Sequence, residues 1–159
     1  MAKPVVLDNT VLSNFALVGR ADLVKRLWAE AAGTTQSVMD EHLVGVKSGR
    51  VPGGSWTDLA IIELTEEERA TRGELPSRLG AGESTCLAVA RHRQRVLVTD
   101  DLHARKIARK MGIPTTGTVG VLALSVKQGL MSLDEGNRLL KQMIEQNYRS
   151  PVEELDDLL

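Results

Sequence analysis

The chain has 159 residues, with 20 Lys+Arg against 21 Asp+Glu, and is 42% apolar and 26% charged. That length suits one domain that buries roughly two-thirds of its unfolded surface, and the apolar share excludes a disordered chain. The single cysteine, Cys86, excludes an intramolecular disulfide framework and a Cys-rich zinc module. Four aromatics in total argue against a base-stacking platform, and a net charge of -1 against a polybasic nucleic-acid binder.

Short apolar runs alternate with longer helical stretches. Residues 4–7 (PVVL) read as a strand stopped by Asp8. Residues 11–18 have helical character, and residues 22–31 form a helix with Leu23, Val24, Leu27 and Trp28 on one face. Thr34 and Thr35 make a short strand or connector. Ser37 is placed to cap a helix running to about Lys47, and residues 48–55 (SGRVPGGS) are a loop. Residues 59–64 suggest a strand, and Thr65 with Glu68 a capping box. The turn Gly80–Ala81–Gly82 precedes a helix over 83–92. Residues 96–99 (VLVT) form a strand that also ends in acid, at Asp100 and Asp101. A helix over 102–111 stops at Gly112, residues 114–117 are a short strand and turn, and helices follow over 119–128 and 133–147. Such alternation predicts an α/β fold, a mostly parallel central sheet covered by helices on both faces in three layers. One domain is expected over 1–150, with a short acidic tail over 151–159 that is either a dimer arm or frayed. The first seven residues hold too short an apolar run for a signal peptide, and no stretch approaches the ~20 apolar residues of a membrane span. A cytoplasmic location with no membrane contact is therefore expected.

Two predicted strands end in carboxylates, at Asp8 and at Asp100–Asp101. In open α/β sheets ligands bind beyond the carboxyl ends of strands. Glu83 stands at a helix start, and Glu41 lies on the helix opened by Ser37. Acids at helix starts also serve simply as caps. Several carboxylates brought together repel each other and raise one another's pKa. A hard divalent cation such as Mg²⁺ or Mn²⁺ relieves that conflict and activates a water for attack on a phosphodiester. Seven Lys/Arg between positions 91 and 110, among them Arg105 and Arg109, add cations suited to a phosphate backbone. Cys86 reads as a buried thiol, and GAGES lacks the GK[ST] ending of a phosphate loop.

The opening VVLDNTVLSNFALVGR resembles the start of PIN-domain nucleases. Residues 80–132 are similar to a PIN subgroup with a DD…AR…A…G…TGT.G.L signature, here Asp100, Asp101, Ala104, Arg105, Ala108, Gly112, Thr116, Gly117, Thr118, Gly120 and Leu122. The resemblance implies a metal-dependent ribonuclease like the VapC toxins of toxin–antitoxin pairs. It places the family's acids on Asp8, Glu41 (beside Asp40), Glu83 and Asp101. Asp100 is an extra acid that shares or supports the metal. It implies Mg²⁺ or Mn²⁺ held by Asp8, Glu83, Asp100 and Asp101, with Thr10 as the hydroxyl after the first acid. Thr10, Arg105 and Arg109 are the expected nucleic-acid contacts. An RNA substrate, a small antitoxin partner and a homodimer follow from the same resemblance. Two other readings are a degenerate PIN module that binds without cutting, and a phosphatase with Asp8 as nucleophile. The latter expects an acid where Thr10 stands.

Overall fold

A computed structural model describes residues 3–159. Five strands, β1 (Val5–Leu7), β2 (Ala32–Thr35), β3 (Ala60–Ile62), β4 (Val96–Val98) and β5 (Thr115–Thr116), form one sheet in the order β3-β2-β1-β4-β5. Every pairing is parallel. The helices are α1 (Asn9–Leu17), α2 (Asp22–Trp28), α3 (Gln36–Lys47), α4 (Glu66–Glu74), α5 (Ala81–Arg93), α6 (Leu102–Lys110), α7 (Thr118–Lys127) and α8 (Leu133–Glu145).

Helix α5 lies across β1, β2 and β4, flanked by α4 and α6, while α2, α7 and α8 form the opposite layer. The result is the three-layer α/β/α sandwich that the alternation predicts. Val5, Val6 and Leu7 are all buried, as a central parallel strand covered on both faces must be. No helix among the described residues is long and apolar enough to cross a membrane.

The chain runs outward from β1 to β2 and β3, then returns past β1 to β4 and β5. The strand order therefore reverses between β1 and β4. Parallel neighbours diverge there at their carboxyl ends and leave a crevice. Asp8 follows β1 and Thr99–Asp101 follows β4, so both acid-ended strands empty into that crevice. The Asp8 N–H donates to the Val98 carbonyl at 2.9 Å, locking the two strand ends together.

Several boundaries differ from the sequence expectation because side chains buried at strand ends take over the capping. Helix α1 starts at Asn9, since the Asp8 carboxylate accepts from the Asn9 N–H at 2.8 Å. Thr35, the last residue of β2, caps α3 in place of Ser37 by accepting from the Val38 N–H at 3.3 Å. The capping box of Thr65 and Glu68 forms as read. The tail is neither frayed nor a free arm. Leu155 is fully buried, and its N–H donates to Asn137 Oδ1 on α8 at 2.7 Å. A Cβ on Gly136 would come within 2.9 Å of Leu155 Cδ1, so the glycine makes room for the docked tail.

Candidate active site

Asp8 lies at the bottom of the crevice, 4% exposed. Its Oδ1 accepts from the Asn9 N–H, and its Oδ2 accepts from the fully buried Thr99 hydroxyl at 2.8 Å. The same hydroxyl oxygen accepts from the Asp101 N–H at 3.2 Å. Thr99 thus ties the first acid to the backbone of the second. Asp101 caps α6 by accepting from the His103 N–H at 3.2 Å. Glu83 stands in the first turn of α5 and accepts from the Gly80 N–H at 2.8 Å. Glu41 reaches in from α3, with Oε2 accepting from Asn9 Nδ2 at 3.2 Å.

These four acids converge. A Cβ placed on Gly82 would lie 3.0 Å from Glu41 Oε1 and 3.6 Å from Asp8 Oδ1, so both oxygens border the space the glycine leaves. Glu83 lies within electrostatic reach of both Asp8 and Asp101. The electrostatics follow. Burial pushes the Asp8 carboxyl up to about 6, against the pull of the Thr99 and Asn9 hydrogen bonds, with the charges of Glu41 and Asp101 adding to the rise. Glu83 is raised as well, by burial first and then by Asp8 and Asp101. None of the four is in an ion pair among the described residues, where the pairs involve other acids.

Asp100 does a different job. Its Oδ1 accepts from the Thr118 N–H at 2.8 Å and the Tyr148 hydroxyl at 3.3 Å. Its Oδ2 accepts from the Thr118 hydroxyl at 2.6 Å and Asn14 Nδ2 at 3.3 Å. Four donors from α1, α7 and the segment after α8 occupy this carboxylate, and the geometry makes it a tie between elements. That also explains the Gly117–Thr118 step: a Cβ on Gly117 would fall 2.6 Å from Asp100 Oδ1. Thr10 accepts from the Asp100 N–H at 3.4 Å and borders the crevice beside Asp101.

The basic block from 91 to 110 does not line the crevice as a unit. Arg93 forms a bidentate pair with the buried Glu68, each N–O contact 2.9 Å. Arg95 donates to the carbonyls of Val5 at 3.0 Å and Ala31 at 3.3 Å, at the amino ends of β1 and β2, away from the crevice. Helix α6 starts at the crevice and runs back along the sheet, so Arg109 lies eight residues, or about 12 Å, from Asp101. It is exposed and outside the crevice. Arg105, one turn down, donates to the Thr99 carbonyl at 3.4 Å and lines a separate cavity beside Gly117. The arginines that do border the crevice are Arg50 and Arg149, which the sequence reading passed over. One lies in a loop and the other past a helix end, so no periodicity marks them. Asn9 was likewise passed over, although it positions Glu41 and carries a buried Oδ1 with no partner.

The donor set is carboxylate oxygen with hydroxyl and amide oxygen nearby, the ligands a hard divalent cation prefers. Among the described residues no three His, Cys, Asp or Glu side chains are gathered into a ready cage. A cation that keeps part of its water shell needs only one or two direct carboxylates. Unpaired converging acids, the unpartnered Asn9 oxygen and the gap over Gly82 fit that kind of site.

No curated protein matches the chain. A family model described as a PIN domain matches residues 4–159, which covers the sheet, all four converging acids and the docked tail. With a match of that extent, the chain belongs to the PIN-domain family, a family of nuclease-type folds.

Proposed function

We propose that this protein is a metal-dependent endoribonuclease that hydrolyses phosphodiester bonds in the crevice between β1 and β4. The observation that carries the reading is the convergence of Asp8, Glu41, Glu83 and Asp101 without a cationic partner. Asp8, Glu83 and Asp101 would hold Mg²⁺ or Mn²⁺, one or two of them directly and the rest, with Glu41, through the ion's waters. When bound, such an ion polarises the phosphate and lowers the pKa of an attacking water.

The chain's own residues supply the rest. Thr99 orients the Asp8 carboxylate and the Asp101 backbone together. Asn9 holds Glu41 toward the crevice. Glu83, its carboxyl raised by burial and by the charges of Asp8 and Asp101, is suited to accept a proton from a water. Asp100 keeps α7 and Tyr148, in the segment past α8, in place behind the site. A binding-only module has no use for a buried Asp8 carboxylate repelled by its acidic neighbours, whose retention costs stability.

The choice of RNA, a toxin role, a small antitoxin, a homodimer and a cytoplasmic setting are supported by the family resemblance. The test is incubation of the purified chain with defined RNA and DNA oligonucleotides, with Mn²⁺, Mg²⁺ or EDTA, beside the Asp8→Asn variant. Cleavage of RNA with either metal, lost in EDTA and in the variant, is expected. Undiminished cleavage by Asp8→Asn sinks the mechanism. Growth arrest on expression, relieved by the product of a neighbouring small gene, tests the toxin role.

A further inference from the structure

We propose that Arg50 and Arg149 position the substrate, each holding a backbone phosphate of single-stranded RNA on one side of the bond to be cut. The inference rests on the nuclease reading above and adds to it how the strand is held.

The crevice has two arms. Asn9, Ser13 and Leu17, spaced four apart along α1, form one wall common to both, and Gln146 and Asn147 form the other. One arm, a cavity of about 770 Å³, runs past Glu41 to Arg50. The other, about 570 Å³, runs past Glu83 and Asp101 to Arg149. Each arm is of the size that takes a small molecule, ~300–1,000 Å³. That is room for one or two nucleotides of a single strand in each arm.

Charge selects the two arginines. Arg50 is the one Lys or Arg bordering the first arm, which otherwise carries Glu41 and Glu145. Arg149 is the one bordering the second, among Glu83, Asp100 and Asp101. A polyanion entering this acidic cleft needs a fixed cation on each side, and the cations of the 91–110 segment are engaged elsewhere, Arg93 on Glu68 and Arg95 and Arg105 on carbonyls. Neither Arg50 nor Arg149 is in an ion pair among the described residues. Arg50 is steadied only through Nε, which donates to Ser48 Oγ at 3.0 Å, leaving its terminal nitrogens free for a phosphate.

The test measures binding apart from cutting. Fluorescence anisotropy follows a labelled single-stranded RNA oligonucleotide bound to the full chain carrying Asp8→Asn, over a series of salt concentrations. Adding Arg50→Gln or Arg149→Gln is expected to weaken binding several-fold. Each should also lower the slope of log K against log[salt] by about 0.7, one phosphate contact on a single strand. In the metal-loaded chain with Asp8 intact, each substitution should raise KM and leave kcat little changed. Arg69→Gln, on the exposed face of α4, serves as the control that changes neither. Thermal melts verify that the variants fold. Unchanged affinity and salt slope in both variants overturn the proposal. Cutting with an unaltered KM overturns it alone. Binding through both arginines with no cutting in Mn²⁺ overturns the nuclease reading and leaves this one standing.

Discussion

Asp8→Asn should make the protein more stable in the absence of metal. Asp8 is 4% exposed and its carboxyl is raised from its ordinary 3.8 to about 6. The sign follows from linkage: a carboxyl that binds its proton more tightly in the folded state costs stability once it is ionised. Below about 3.8 the cost is absent. It grows as pH rises toward 6 and is fully present at pH 7. A rise of that size corresponds to roughly 3 kcal/mol. Asparagine keeps the contact to the Asn9 N–H, and the Thr99 hydroxyl loses its carboxylate acceptor, a loss of about 1 kcal/mol. The net expectation is a gain of about 2 kcal/mol for the variant at pH 7, several degrees in Tm for a domain this size. The assay is urea denaturation of both proteins in EDTA at a series of pH values from acid to neutral. The variant's advantage should appear only above pH 4 and reach a plateau past pH 6. Mn²⁺ should then raise the Tm of the unsubstituted chain and leave the variant's nearly unmoved. A variant less stable at pH 7, or a difference that ignores pH, would refute the claim that Asp8 is held at a cost.

Three further outcomes test other parts of the structure. Gly82→Ala puts a methyl 3.0 Å from Glu41 Oε1 and 3.2 Å from Val38 Cγ2. It should reduce cleavage and shrink the Mn²⁺-induced Tm shift while the far-UV spectrum stays unchanged. Asp100→Asn removes a charged acceptor from four donors and presents an N–H₂ toward at least one of them. It should destabilise by about 2–3 kcal/mol in urea titrations, with the loss present in EDTA as well as in metal. Leu155→Ala should cost about 2–5 kcal/mol, as for any fully buried leucine, and a loss below 0.5 would show the tail to be undocked.

The cation distribution shows where a linear reading stops. Arg91 to Lys110 looks like one basic block next to an acid pair. In three dimensions the segment runs up a strand and back down a helix, and its cations scatter. Arg93 meets the buried Glu68 and Arg95 meets backbone carbonyls at the amino ends of β1 and β2. Arg50 and Arg149 are 99 positions apart in the chain and border the same crevice.

What the sequence determined by itself is the layer structure and the acids at the strand ends. Short β-branched apolar runs such as VVL and VLV, stopped by acids or Thr, read as buried central strands, and a carboxylate after such a run stands where a parallel sheet opens. Those facts are local, set by side-chain period and by the cost of burying charge. The tertiary structure decided which acid does what. Asp100 and Asp101 are neighbours of one type, yet Thr118, Tyr148 and Asn14 engage the first, while the second caps α6 through the His103 N–H. It also decided that the tail is part of the core and that Asp8 is ionised at a cost. Each of these turns on which distant side chains share a few ångströms. Burial and hydrogen bonding set a carboxylate's chemistry, and both are properties of the assembled fold.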